Sequence, residues 1–209
     1  IVDKSTGQFP NFAHTIMLSE NAQLVARSLR PVPLSRRDAV AAEIKQMVDD
    51  DIWEPVNRPS AWVHHLVTVP KLDGKVRITT DLSPLNKYVI AEHHPLPRIN
   101  DQYLELQGAK VYSKIDLSKG CWQIMLSPES RHLTTTITPQ GLFQYKRLPM
   151  GLTDAASVFQ RIVSQTLAYC KGCIAYIDDI LIFGIDRVEH DENLRAVLHK
   201  LNDNDFRIN

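Results

Sequence analysis

Apolar residues fall on two different spacings along this chain, and the switches between them separate helices from strands. Val40, Ile44, Met47, Val48 and Ile52 recur at helical spacing and predict a helix over about 36–51. Ser35-Arg36-Arg37-Asp38 ahead of it has the form of a capping box with Ser35 as N-cap, and Pro55 and Pro59 close it off. Ala155, Val158, Phe159, Ile162, Val163 and Thr166 form a second stripe, for a helix running from Asp154 to about Tyr169. A third helix, over about 187–203, carries Leu194, Val197, Leu198 and Leu201 on one face. Ile99–Leu106 has the pattern of a short helix.

Strand-like runs fill the remainder. Val63–Pro70 and Val76–Thr80 are joined through Asp73-Gly74, the strongest short-range hairpin signal, with Lys71, Lys75 and Arg77 on or near its tip. Val111–Ile115 is apolar and ends on Asp116. Trp122–Leu126 and Leu133–Thr138 read as strands, and Pro139-Gln140-Gly141 turns the second into Leu142–Lys146. Residues 1–34 carry little periodicity and read as an extended arm with one strand at Ala13–Leu18. Residues 84–98 read as an irregular connection, and the pairs His64-His65 and His93-His94 as plain surface. The order of elements implies an α+β fold, with helices packed on one side of an antiparallel sheet.

One run breaks the apolar pattern at its centre. Ile174-Ala175-Tyr176-Ile177 and Ile180-Leu181-Ile182-Phe183 flank Asp178 and Asp179. Two ionised carboxylates are costly in a core, and a tight turn between two strands brings them to the surface. If this hairpin lies beside Val111–Ile115, then Asp116, Asp178 and Asp179 converge at one sheet edge. Carboxylates brought that close repel unless cations neutralise them. A pair of Mg²⁺ ions suits such a site, because Mg²⁺ takes a few carboxylates together with phosphate oxygens and water. Two such ions stabilise the attacking and leaving oxygens of an in-line phosphoryl displacement, and a basic hairpin can clamp the phosphates. The residues therefore point to metal-dependent nucleotidyl transfer.

Composition adjusts this picture only slightly. The 209 residues are 44% hydrophobic and 23% charged, an ordinary globular composition with room for a core. No apolar run approaches a membrane span and no signal-peptide pattern opens the chain, so an intracellular, cytoplasmic protein is expected. Three cysteines do not make a disulfide scaffold, and the lone pair Cys170 and Cys173 lacks the further ligands of a zinc site. Lys plus Arg and Asp plus Glu balance at 24 each, unlike a dedicated nucleic-acid binder. Yet between Arg58 and Lys119 basic residues outnumber acidic ones, so the neutral total can hide a basic groove.

Tyr176-Ile177-Asp178-Asp179 has the Tyr-x-Asp-Asp form of reverse transcriptases. Around it the chain resembles, over nearly its whole length, the polymerase of gypsy-type LTR retrotransposons. The blocks are Lys71 to Arg77, Asp81-Leu82 through Leu85-Asn86-Lys87, and Ser113-Lys114-Ile115-Asp116-Leu117. Gln140 to Tyr145, Leu148-Pro149-Met150-Gly151-Leu152, and Ala155 through Phe159-Gln160-Arg161 complete the set. The resemblance implies the fingers and palm of a right-hand polymerase over residues 35–209, truncated before the thumb, with a ferredoxin-like palm.

It implies further that Asp116 and Asp178 are the principal metal ligands, completed by Asp179, for two Mg²⁺ ions with Mn²⁺ as a substitute. Lys71 and Arg77 resemble residues that hold the incoming phosphates, with backbone N–H groups around Lys119 and Gly120 helping. Met150 falls where the family places a side chain against the nucleotide. Cys121 stands where the family usually carries Tyr or Phe, whose ring excludes the ribose 2′-OH. The implied partners are an RNA or DNA template with primer, dNTP, and the thumb and ribonuclease H segments of a parent polyprotein, in a virus-like particle if the element is active. The implied function is RNA-directed DNA polymerisation. The alternatives are an impaired or domesticated remnant that binds nucleic acid or protein, and a nucleotide cyclase, whose Gly-Gly-Asp-Glu-Phe-like loop is absent.

Overall fold

The structure is a computed structural model that describes residues 1–97 and 104–209. Most of the expected helix at Ile99–Leu106 therefore lies outside the described residues. The strands in chain order are β1 (Ala13–His14), β2 (Trp53–Val56), β3 (His64–Pro70), β4 (Val76–Thr80), β5 (Val111–Asp116), β6 (Met125–Leu126), β7 (Thr136–Thr138), β8 (Gly141–Tyr145), β9 (Cys173–Tyr176) and β10 (Asp179–Gly184). The helices are α1 (Arg37–Asp49), the single turn α2 (Ser83–Asn86), α3 (Ala155–Thr166) and α4 (Arg187–Asp203). They build the expected α+β class. Two compact units result, one of residues 1–12, 92–124 and 154–209, the other of residues 13–91 and 125–153.

The first unit follows the order β5-α3-β9-β10-α4, and Ile208 then makes an antiparallel bridge to Leu117 just past β5. This is the split βαβ arrangement of ferredoxin-like folds, with β10 between β5 and β9. Ile180 and Ile182 of β10 are fully buried, as are Val158, Phe159 and Val163 of α3 and Val197 and Leu201 of α4. Asp186 caps α4, its side chain accepting from the Glu189 N–H at 2.9 Å. Gly184 closes β10 where the α4 backbone passes. A Cβ there would lie 2.4 Å from the His190 nitrogen and 2.8 Å from its Cα. Backbone cannot yield as a flexible side chain can, so Gly184→Ala should cost about 3 kcal/mol. In a chain of this size that lowers Tm by roughly 6–12 °C. A melt within 1 °C or so of the parent, on the same scale, would show that the two segments separate freely.

The second unit is built on a five-stranded sheet of order β2-β8-β7-β3-β4, with α1 packed against it. Its core includes Trp53, stacked on Phe143 at 5.6 Å and edge-on to Tyr145 at 5.5 Å. The β3–β4 hairpin turns through Asp73-Gly74 as its sequence demands, with Gly74 at φ 77° and Lys75 N–H donating to Asp73.

Several expectations are corrected. The capping box does not form. A 3-10 turn at Leu34–Arg36 runs straight into α1, whose N-cap is Arg36 with no side-chain cap. α1 ends at Asp49, ahead of Pro55 and Pro59 as expected, and Pro55 sits inside β2. That strand is at the sheet edge, where a missing N–H breaks no ladder. Of Trp122–Leu126 only Met125–Leu126 is strand (β6), because Trp122 and Gln123 belong to a 3-10 turn (Gly120–Gln123), and Leu133–Thr138 begins in another (Pro128–Thr134). The strand expected at Ala13–Leu18 is only the two residues of β1, with a separate bridge from Leu18 to Val89. His64 is not surface. It has no exposure, bonds the Leu133 carbonyl at 2.8 Å through Nε2, and is pushed below the usual histidine range by burial.

Candidate active site

Asp116 is the last residue of β5 and Asp179 the first of β10, and the two are paired directly in the antiparallel register. Opposite residues share a sheet face, so this register sets both carboxylates side by side. Ile115 and Ile180, the next pair, point the other way into the core, as the period of two requires. Asp178 sits in the two-residue loop Ile177-Asp178 between β9 and β10. Its carbonyl accepts from the Leu117 N–H at 2.7 Å, tying the loop to the end of β5. Among the described residues, Asp116, Asp178 and Asp179 offer oxygens that all lie within 4.8 Å of one another. The convergence expected from the sequence is present.

Two side chains that the sequence reading passed over touch this cluster. Lys114 lies two residues before Asp116 on the same strand face, and its Nζ is 2.9 Å from an Asp179 oxygen. The hydrogen bond and charge of Asp179, with Asp116 and Asp178 adding, hold the Lys114 ammonium above its usual range. The Asn209 side-chain amide donates to Asp116, and its backbone N–H donates to the Asp116 carbonyl at 3.0 Å. Strand periodicity alone could have found Lys114; nothing local could have found Asn209.

The loop that carries Asp178 is strained. Ile177 has φ 54°, a conformation that a β-branched residue adopts at a cost of about 1–3 kcal/mol. Beside it, Cys121 is 7% exposed on the 3-10 turn after β5, its sulfur 3.9 Å from the Ala155 carbonyl. Burial pushes its thiol up to about 12, and the Asp178 charge adds to the shift, so it is a small neutral group. Lys119, at φ 59°, donates from Nζ to the Thr6 hydroxyl at 3.0 Å. The Gly120 N–H, expected to face phosphate, donates to the Leu117 carbonyl at 3.2 Å.

The other unit holds the remaining expected residues. Arg77 and Met150 meet, with a guanidinium nitrogen 3.3 Å from the sulfur. Lys71 is exposed in the hairpin turn, where its N–H donates to the Lys75 carbonyl at 2.8 Å.

Residues 69–209 match the family model described as reverse transcriptase (RNA-dependent DNA polymerase). The chain belongs to the reverse transcriptase family. This reverse transcriptase chain is 32% identical over 184 residues to the retrovirus-related Pol polyprotein from transposon opus of Drosophila melanogaster. The match takes in 86% of the chain and 18% of that polyprotein. Among solved structures it is similar to the prototype foamy virus protease-reverse transcriptase, with TM-score 0.85 and 21% identity over 98% of this chain and 27% of that one. A foamy viral protease-reverse transcriptase in complex with an RNA/DNA hybrid gives TM-score 0.83 at 20% identity, with the same coverage. The reverse transcriptase chain thus spans about a fifth to a quarter of these relatives. Its fold is that of polymerase fingers and palm, the βαββαβ unit being the palm.

Three carboxylates with all-oxygen donors this close fit a hard divalent cation, which takes a few carboxylates and leaves its other positions to phosphate and water. The donor set thus suits the ion that the family implies.

Proposed function

We propose that this chain is the polymerase core of a gypsy-type retroelement polyprotein, joining dNTPs to a primer 3′-OH on an RNA template. The observation that carries the reading is the meeting of three carboxylates at the paired ends of β5 and β10. Asp116 and Asp178 would hold the metal directly. Asp179, already bonded to Lys114, would tune the site's charge. Two Mg²⁺ ions, or Mn²⁺ in their place, would supply the charge that stabilises the attacking and leaving oxygens.

The chain's own groups bind and orient. Lys71 and Arg77 carry positive charge for the triphosphate, Met150 offers a soft surface next to Arg77, and Lys119 and Gly120 form the turn after Asp116. Residues 1–34 serve as an arm, and 35–209 as fingers and palm. Relatives that are polyproteins and neighbours solved with nucleic acid support the template, and a parent polyprotein, as partners.

The test is Mg²⁺- or Mn²⁺-dependent dTTP incorporation on poly(rA)·oligo(dT), with this chain and with one extended past Asn209. No incorporation by either form would favour the second reading, a remnant that only binds nucleic acid. The observation behind that alternative is Cys121. A thiol at the position of the usual aromatic ring leaves the ribose 2′-OH unopposed. Cys121→Tyr should therefore raise discrimination of dNTP over rNTP by about tenfold in primer extension. Equal discrimination in both forms would remove the gate argument.

A further inference from the structure

Gln160 lies mid-way along α3 and has no solvent exposure. A buried amide is costly unless its polar atoms are bonded, and an apolar side chain of similar size would pack there without that cost. The hydrogen bonds of Gln160 run chiefly to one place. Its Oε1 accepts from the Ile177 N–H at 2.6 Å, and its Nε2 donates to the Ala175 carbonyl at 3.0 Å. The same Nε2 lies 3.0 Å from the Ser164 hydroxyl on its own helix. The amide therefore spans from the β9 strand into the loop carrying Asp178.

That loop needs holding. A two-residue hairpin loop with positive φ at its first central position asks for glycine, and here the residue is Ile177 at φ 54°. Strain of this kind persists only where the surroundings over-determine it. The Leu117 N–H fixes the loop from the β5 side, through the Asp178 carbonyl. Gln160 fixes it from the α3 side, one residue earlier. Between them the two bonds leave the Asp178 backbone little freedom, and so aim its carboxylate.

We propose that Gln160 is a positioning residue of the polymerase site, its buried amide holding the Ile177 turn so that Asp178 presents its carboxylate to the divalent ion. The inference rests on the metal-dependent reading above. It names a role for a residue that touches neither the ion nor the nucleotide.

The experiment is a Mn²⁺ titration followed by electron paramagnetic resonance of free Mn²⁺, with Tm recorded separately in chelator. The proteins are the unaltered chain, Asp178→Asn, Gln160→Leu, Ile177→Gly, and the last two combined. Gln160→Leu should weaken Mn²⁺ binding by about tenfold, the usual effect of removing a group that orients a metal ligand. Glycine adopts the loop conformation without strain. In the Ile177→Gly background the same Gln160→Leu change should therefore cost less than about threefold. A merely structural glutamine would lower Tm equally in both backgrounds and show no such rescue.

Unchanged affinity in Gln160→Leu, or an equal loss in both backgrounds, overturns the role of Gln160 while Asp178→Asn still abolishes binding. No saturable binding by the unaltered chain, or binding indifferent to Asp178→Asn, overturns the metal reading and this role together. Should Gln160→Leu not fold, Gln160→Asn keeps the amide but withdraws it by one methylene, and is read in both backgrounds by the same criterion.

Discussion

Asp178→Asn should reduce dTTP incorporation on a primed RNA template by about 10³-fold or more, and should abolish saturable Mn²⁺ binding. The substitution keeps the shape of the side chain but removes the charge that a divalent ion requires. Asp116→Asn should do the same, because its carboxylate is the other direct ligand in the proposed arrangement. Asp179→Asn should be milder, since one Asp179 oxygen is already occupied by Lys114 at 2.9 Å. The order of the three effects is thus part of the expectation. Primer extension with each variant, beside Tm measured without metal, checks it. If Asp178→Asn kept a tenth or so of parental incorporation, the two-ion mechanism could not stand.

Asp51→Ala should be the most destabilising single change among the ion pairs of the described residues, at about 2–3 kcal/mol. Its carboxylate accepts from Lys146 and, at 3.2 Å, from Arg147, whose side chain is only 4% exposed. The Asp51 backbone carbonyl takes a further Arg147 nitrogen at 3.1 Å. Removing the carboxylate takes one counter-charge away from a buried guanidinium, which costs more than the loss of an exposed pair. Asp51 is itself partly exposed, and solvent trims the figure.

The pH dependence has a definite sign. Burial pushes the Asp51 carboxyl up, but the hydrogen bonds and charges of Lys146 and Arg147 outweigh it and hold it below the usual carboxylate range. A carboxyl depressed in the folded state contributes stability above its unfolded value, and that contribution is lost as pH falls through the folded value. The Tm gap between parent and Asp51→Asn should therefore be constant at neutral pH and narrow below about pH 4. A gap that widened on acidification would mean that Asp51 is not held ionised by its partners.

Elements whose residues bury one face against whatever lies nearby could be read from the chain alone. The stripe of Ala155, Val158, Phe159, Ile162 and Val163 gave α3, and Leu194, Val197 and Leu201 gave α4 with both ends correct. Asp73-Gly74 gave the β3–β4 hairpin, because glycine at positive φ is a local requirement. The misreadings share a cause. Trp122–Leu126 is apolar enough for a strand, but Lys119 and Gly120, both at positive φ, turn the chain first, and the 3-10 turn that follows leaves only Met125–Leu126 as strand. His64-His65 looked polar and exposed, yet β3 sends alternate side chains to opposite faces and drives His64 inward against the Leu133 carbonyl.

The chain by itself determined that acidic residues terminate apolar strands, and its motif blocks determined the family. Both are local: a strand end and a tight turn are the places where a carboxylate can stand beside a core without being buried in it. Which strand lies beside which was decided only in three dimensions, by the register that pairs Asp116 with Asp179. The same holds for two groups that act on the cluster from elsewhere, Gln160 beneath the turn and Asn209 on Asp116. A hydrogen bond between residues distant in sequence leaves no periodic trace, because its partner is chosen by packing and not by neighbours along the chain.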